Sequence, residues 1–176
     1  RLFDIFIATF ILILLLPIIF IVSMLIFLID GEPIIFKQTR IGINGKKFNI
    51  LKFRTMSNSI LKNENRRIRR TSLDEIPQFI NIIFNDMSIV GPRPLPPNIE
   101  KKIKRSDKIK RRKVLPGITG LSQINFTGKN RNLSEKIKLD IKFIEGYNVV
   151  NYFRIILRTP IIIIIKFIKN KSSIIK

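Results

Sequence analysis

Hydrophobic and polar positions change their period along this chain, and each change marks an element. Residues 5–29, IFIATFILILLLPIIFIVSMLIFLI, are 25 uncharged residues in a row. As a straight helix the run would be roughly 37 Å long, more than the about 30 Å hydrocarbon core of a bilayer. Pro17 stands at its centre, where it removes one helical hydrogen bond and kinks the chain. Two arrangements fit: a tilted transmembrane helix, or a hairpin that enters one leaflet, turns near Pro17 and leaves on the same side. Arg1 precedes the run, while Lys37, Arg40, Lys46 and Lys47 follow it. Basic residues on both sides slightly favour the hairpin. The run is long for a signal peptide and lacks a small-residue cleavage site.

Gly31 to Pro33 closes this segment as a turn. In residues 34–56 apolar and polar positions roughly alternate around Asn44-Gly45, which predicts a β-hairpin with an Asn-Gly turn. Residues 57–70 read as a polar loop entering a helix. Residues 72–86 then suit a helix, with Ser72 as cap, Glu75 completing a capping box, and a stripe of Ile76, Phe79, Ile80 and Ile83. Pro77 predicts a kink or boundary there. Residues 85–97 read as a Pro-rich loop, 98–113 as a basic amphipathic segment and 115–120 as a turn-rich loop. Residues 133–145 read as a helix. The closing TPIIIIIKFIKNK has only five uninterrupted apolar residues after its proline, too short to span but suited to an interface. No internal repeat and no domain linker is evident.

Composition narrows the chemistry. Lys and Arg number 33 against 12 Asp and Glu, a formal charge of +21, while 45% of residues are apolar. That combination points to an anionic partner and fits a membrane surface better than nucleic acid. An aromatic-and-basic stacking platform is lacking, since the two Tyr and most Phe fall in apolar stretches. With no Cys and no His there is no disulfide, thiolate nucleophile, imidazole base or common zinc site. Carboxylates, hydroxyls, Lys, Arg, Tyr or a hard cation must carry any catalysis. One stretch stands out: TSLDEIPQ, Thr71 to Gln78, sets Asp74 and Glu75 side by side behind the basic run Arg66 to Arg70. Neighbours on a helix do not face the same way, so this is no surface ion-pair ladder. The plain alternative is the acidic first turn of a helix.

SLDEIPQ, DMSIVGPRP and PGITGLSQIN, with RLFD, the apolar run, FKQTRIG and KFRTM, resemble the bacterial sugar transferase family. These are the monotopic polyprenyl-phosphate phosphoglycosyl transferases. The resemblance covers Leu2 to about Thr159, in the family's order, and is to its short members. It implies transfer of a phosphosugar from a nucleotide-diphosphate sugar, usually a UDP-sugar, to a polyprenyl phosphate such as undecaprenyl phosphate, with release of UMP. It further implies Mg²⁺, and a covalent phosphosugar on the Asp of the Asp-Glu pair. By motif, Asp74 is then the nucleophile and a metal ligand. Glu75 is its partner, as a base toward the lipid phosphate or as an electrostatic aide. The phosphates fall to arginines, whose planar fork matches such oxygens in pairs: Arg93 first, then Arg69 and Arg54. Thr119 and Gln123 are further candidates. The family's apolar segment is a re-entrant helix broken at a proline, which Pro17 matches.

The expected fold is mainly α with a small β-hairpin. Residues 1–30 form a re-entrant membrane helix, residues 31–176 a catalytic domain with interfacial helices at the cytoplasmic face of the bacterial inner membrane. Expected partners are a nucleotide sugar, polyprenyl phosphate and anionic lipid, not nucleic acid. Departures from the family pattern are the short stretch 57–71, Phe126 in place of Gly, Leu133 in place of Trp, Asn151 in place of Asp, and Leu16 before Pro17. Asp140 matches a family position without an assigned role. The rival reading is a degenerate, non-catalytic membrane scaffold.

Overall fold

The computed structural model describes residues 1–55, 71–125 and 132–172. Its apolar N-terminal run forms two helices, α1 (Leu2–Leu14) and α2 (Leu16–Asp30), bent by 63°. The cause is local. Pro17 lies in the first turn of α2 and has no N–H to give the preceding turn, so the helix restarts with Leu15 at φ −91° and ψ 5° between the two pieces. No single helix among the described residues is long and apolar enough to cross a membrane, although the bent pair passes that test together. Outward-facing apolar side chains run along both helices: Leu2 is 85% exposed, Phe6 69% and Phe20 69%.

Burial on this pair is confined to a few anchors. Ala8 joins the main core with Phe48, Ile82, Met87, Phe143 and Ile155, and Val22 and Ile26 join a second cluster with Phe53 and Ile76. The RLFD stretch supplies the polar anchor. Buried Asp4 accepts hydrogen bonds from Ser88 Oγ at 2.7 Å and from the Tyr152 hydroxyl. Arg1 donates to the carbonyls of Met87, at 2.8 Å, and Ile82.

Strands β1 (Ile35–Ile41) and β2 (Lys47–Phe53) form the antiparallel hairpin that the alternation predicts, in register Ile35 with Phe53 through Ile41 with Lys47. Asn44 (φ 54°) and Gly45 (φ 77°) take the two left-handed positions, and Lys46 N–H donates to Ile43 O at 3.0 Å. This is the type I′ geometry that Asn-Gly favours because it matches the twist of the strands.

Residues 72–86 differ from the single capped helix expected. Ser72 sits at φ 59°, in the left-handed region, and its side chain caps nothing. A single 3₁₀ turn, Leu73–Glu75, follows, and α3 (Gln78–Ile83) starts only after Pro77, which marks the boundary. A helical cap requires an extended backbone, and the left-handed Ser72 excludes the capping box. Helix α3 is fastened to the hairpin by buried Asn81. Its Oδ1 accepts from Leu51 N–H at 3.0 Å and its Nδ2 donates to Asn49 O at 2.9 Å, so the amide continues the strand's pairing.

The two presumed loops carry a second sheet, for which the sequence pattern gives no signal. Strands β3 (Ser88–Val90) and β4 (Gly117–Thr119) pair in parallel, Ser88 with Gly117 and Val90 with Thr119. Three residues are too few to display a period of two. Glycine makes the pairing possible: a Cβ on Gly117 would lie 2.0 Å from Gly91 N, and one on Gly120 would lie 2.2 Å from Gly91 O.

Short helices α4 (Pro97–Glu100) and α5 (Arg105–Arg111) divide the basic segment, with Ile103 buried between them. Helix α6 (Leu121–Ile124) follows β4. Helix α7 (Leu133–Glu145) forms where predicted, capped by the Asn132 side chain accepting from Glu135 N–H. The last helix, α8 (Val149–Ser172), runs through Pro160 and docks through Tyr152 and Ile155.

Gly117→Ala is expected to destabilise the fold by about 3 kcal/mol or more, because the clash is with backbone atoms that cannot move aside. Gly146→Ala, whose methyl meets only Lys142 O at 3.2 Å, should cost less than about 1 kcal/mol. Thermal unfolding followed by circular dichroism compares them; equal melting of Gly117→Ala and the parent refutes the interlock.

Candidate active site

Four segments meet at the carboxylate of Glu75. The 3₁₀ turn brings Asp74 and Glu75 to the hairpin, with Asp74 buried at 9% exposure. Glu75 Oε1 accepts from Lys52 Nζ at 2.6 Å and from Arg93 at 2.8 Å. Lys52 comes from β2 and Arg93 from the GPRP loop after β3. Burial pushes the Glu75 carboxyl up, but the charge and hydrogen bonds of Arg93 and Lys52 outweigh it and hold its pKa down at about 2. A group so acidic makes a poor proton acceptor at neutral pH. Of the two roles expected for Glu75, the electrostatic one fits this geometry.

Arg40 completes the cluster. It donates to Pro94 O at 3.1 Å and to Gln38 Oε1 at 2.5 Å, while its buried Nε has no partner among the described residues. Burial and the charge of Arg93 both lower its pKa, and Glu75 opposes them. Three cations, Arg40, Lys52 and Arg93, thus surround one carboxylate. The excess positive charge suits an anion of several oxygens. Arg93 is half exposed, and its guanidinium makes one side-chain bond among the described residues, to Glu75.

A buried pillar fixes Arg93 from behind. Arg111 on α5 donates to Arg93 O at 2.7 Å and pairs with Asp140 on α7. Burial lowers the Arg111 pKa to about 10, with Glu100 opposing, so it stays charged at neutral pH. Asp140, which the sequence left without a role, therefore positions, through Arg111, the GPRP loop that carries Arg93. Beside it, Arg112 forms a two-point pair with Glu100 at 3.1 and 3.0 Å, and its carbonyl accepts from Asn44 N–H of the hairpin turn at 2.8 Å.

The other candidates lie apart from Glu75. Arg54 donates to the carbonyls of Asp30 at 2.5 Å, Gly31 at 2.7 Å and Glu32 at 3.0 Å, closing the C-terminus of α2. Thr119 Oγ1 contacts Thr159 Oγ1 at 2.7 Å, and Thr159 in turn donates to Ile155 O at 2.8 Å. With that proton committed, Thr119 is the donor of the pair and ties β4 to α8. Gln123 on α6 donates from Nε2 to Ile118 O at 2.7 Å, leaving a buried Oε1 without a partner among the described residues. Pro17 is at the bend, as described, and Arg69 and Phe126 lie outside the described residues. Sequence reasoning missed Lys52 and Arg40. Lys52 has the same strand parity as buried Phe48 and Ile50, and Arg40 pairs directly with Phe48. Two cations on the apolar face of a hairpin were the available signal. Among the described residues no three acidic side chains gather to hold a metal. A metal here would need Asp74 together with oxygens from a substrate.

A family model described as bacterial sugar transferase matches residues 1–166. The chain is similar to a UDP-glucose:undecaprenyl-phosphate glucose-1-phosphate transferase of Klebsiella pneumoniae, 34% identical over 98% of this chain and 41% of that protein. It is 37% identical to the uncharacterized sugar transferase EpsL of Bacillus subtilis (strain 168), over 84% of this chain and 78% of the relative. The exopolysaccharide production protein PSS of Rhizobium leguminosarum bv. phaseoli is 31% identical over 92% of each. The chain thus spans about two fifths of the length of the Klebsiella relative.

Glu75 makes stability depend on pH. Its folded pKa of about 2 lies below the ordinary 4.5, so its contribution is complete above pH 4.5 and is lost as pH falls toward 2. The difference corresponds to at most about 3 kcal/mol. Urea unfolding at pH 7 and pH 3 should show the parent losing more stability on acidification than Glu75→Gln does. Parallel losses refute the paired state.

Proposed function

Because the chain belongs to the bacterial sugar transferase family, we propose that it transfers a phosphosugar from a UDP-sugar to a polyprenyl phosphate such as undecaprenyl phosphate. The products are a polyprenyl-diphosphate sugar and UMP, and the reaction starts the assembly of an exopolysaccharide, capsule, O-antigen or glycoconjugate. The observation that carries this reading is the Asp-Glu pair set against Lys52, Arg40 and Arg93. A carboxylate nucleophile beside an anion-holding cluster is what such a transfer requires of a chain without His or Cys.

In the proposed first half, an Asp74 carboxylate oxygen attacks the sugar-bearing phosphorus. The bond to the bridging oxygen of the diphosphate breaks, UMP leaves with that electron pair, and Asp74 becomes an acyl phosphate. In the second half an oxygen of the polyprenyl phosphate attacks the same phosphorus and Asp74 is released. That oxygen is largely ionised at neutral pH, since phosphate monoesters have a second pKa of about 6, so no strong base is needed. Glu75 then acts by holding Lys52 and Arg93 in place. Arg93 turns its free edge to the phosphates, and Arg40 adds to the field. Mg²⁺, held by Asp74 and substrate oxygens, would neutralise charge on the diphosphate.

The substrates place this chemistry at a membrane. On this reading the bent pair α1–α2 enters the cytoplasmic leaflet of the bacterial inner membrane and returns. Its support is the 63° bend and the outward apolar side chains. On α8, exposed Val150, Phe153, Leu157, Ile161, Ile164 and Ile168 recur at helical spacing and suit the interface. Phe153 meets Phe3 of α1 edge-on at 5.3 Å, joining the two apolar surfaces.

Asp74→Asn is expected to abolish both UMP release and the covalent phosphosugar adduct, measured with UDP-sugars, undecaprenyl phosphate and Mg²⁺. Glu75→Gln should lower turnover by roughly 10²–10³-fold by loosening the cation cluster. Normal turnover by Asp74→Asn would sink the nucleophile assignment. A parent protein that binds membranes but forms no adduct with any UDP-sugar would establish the scaffold reading instead.

A further inference from the structure

A groove of about 850 Å³ opens between α5, α6, α7 and α8. None of its lining residues belongs to the Glu75 cluster. Part of its wall is apolar, with Leu139, Phe143 and Ile155, and its charged residues are mostly cations: Lys138 and Lys142 from α7, Arg154 and Arg158 from α8. Each pair is spaced four apart, so like charges stack on one helix face, which is unfavourable without a counter-charge. The side chains of these four make no ion pair or hydrogen bond among the described residues. The acids present, Asp107 and Glu145, do not balance them, because Glu145 is paired with Lys110 at 2.6 Å. The groove therefore sets four cations against one carboxylate, Asp107, that no ion pair engages among the described residues.

We propose that this groove binds one anionic membrane phospholipid, its phosphate between the α7 lysines and the α8 arginines and an acyl chain along the apolar wall. The position favours this occupant. Arg154 and Arg158 directly follow Phe153 and Leu157, members of the exposed α8 stripe, so the cations border the surface assigned to the lipid interface. The lipid would fix the rotation of α8, and through Thr159 and Thr119 the position of β4. The proposal rests on the membrane reading above.

The test uses the full chain in nanodiscs and native mass spectrometry after release, with phosphatidylglycerol and phosphatidylcholine at equal content. The parent should retain one phosphatidylglycerol in at least tenfold preference. Arg154→Gln/Arg158→Gln should lose that preference and Arg154→Lys/Arg158→Lys should keep it, while Lys101→Gln/Lys102→Gln, outside the groove, should match the parent. Retention of the preference by the Arg→Gln pair, or its equal loss in the Lys101/Lys102 pair, overturns the site in favour of diffuse surface charge. Displacement of the bound lipid by equimolar undecaprenyl phosphate, with a raised KM for that substrate in the Arg→Gln pair, overturns the phospholipid assignment and makes this a substrate site. A parent that ignores vesicles altogether defeats the membrane reading. A parent that binds vesicles without groove-dependent preference defeats only this proposal.

Discussion

The carboxylate of Glu75 is the contact on which the geometry of the candidate site depends. One oxygen joins Lys52 of the hairpin and Arg93 of the GPRP loop to the turn that carries Asp74. A buried carboxylate is costly alone, and two cations in one place are costly alone; together they offset each other only in this arrangement. The site is consequently rigid on one side, where Lys52, Arg111 and Asp140 are enclosed, and open on the other, where Arg93 faces solvent. In the proposed reaction, a diphosphate would compete with Glu75 for the same guanidinium without dismantling its support.

Long periodic elements were legible in the sequence. The apolar run, the proline bend, the Asn-Gly hairpin and α7 each carry a pattern repeated over several residues. The site was legible only in part, because it depends on three-residue strands and one turn. Ser72 in the left-handed region converts an apparent capping box into a 3₁₀ corner, and no pattern of apolar residues encodes that choice. Parallel pairing of β3 with β4 rests on glycines that admit backbone contact, which reads in the sequence simply as loop composition. Asp74, Glu75 and Arg93 came from motif spacing. Lys52 and Arg40 needed the register of the hairpin to show that they share one face.

Motif residues also divide by what they hold. Arg1 and Asp4 of RLFD fasten α1 to β3, α3 and α8. Arg54 and Thr119 brace element ends, whereas Arg93 keeps a solvent-facing edge. A motif therefore does not declare whether its residue touches a substrate. Three protein carbonyls already occupy the Arg54 guanidinium, whereas among the described residues Arg93 has a single side-chain partner.

Arg54 has a geometric consequence. Its guanidinium grips the three carbonyls where α2 ends, and its backbone N–H continues the hairpin ladder by donating to Ile34 O at 2.9 Å. Lys52, which holds Glu75, lies two residues earlier on the same extended segment, about 7 Å of strand. Strand β2 therefore works as a ruler between the exit of the apolar helices and the Asp74-Glu75 pair. If those helices rest in a leaflet, the ruler sets the height of the chemistry above the lipid boundary. In the proposed reaction, the lipid head group would then be met at one fixed elevation, however long its isoprenoid tail.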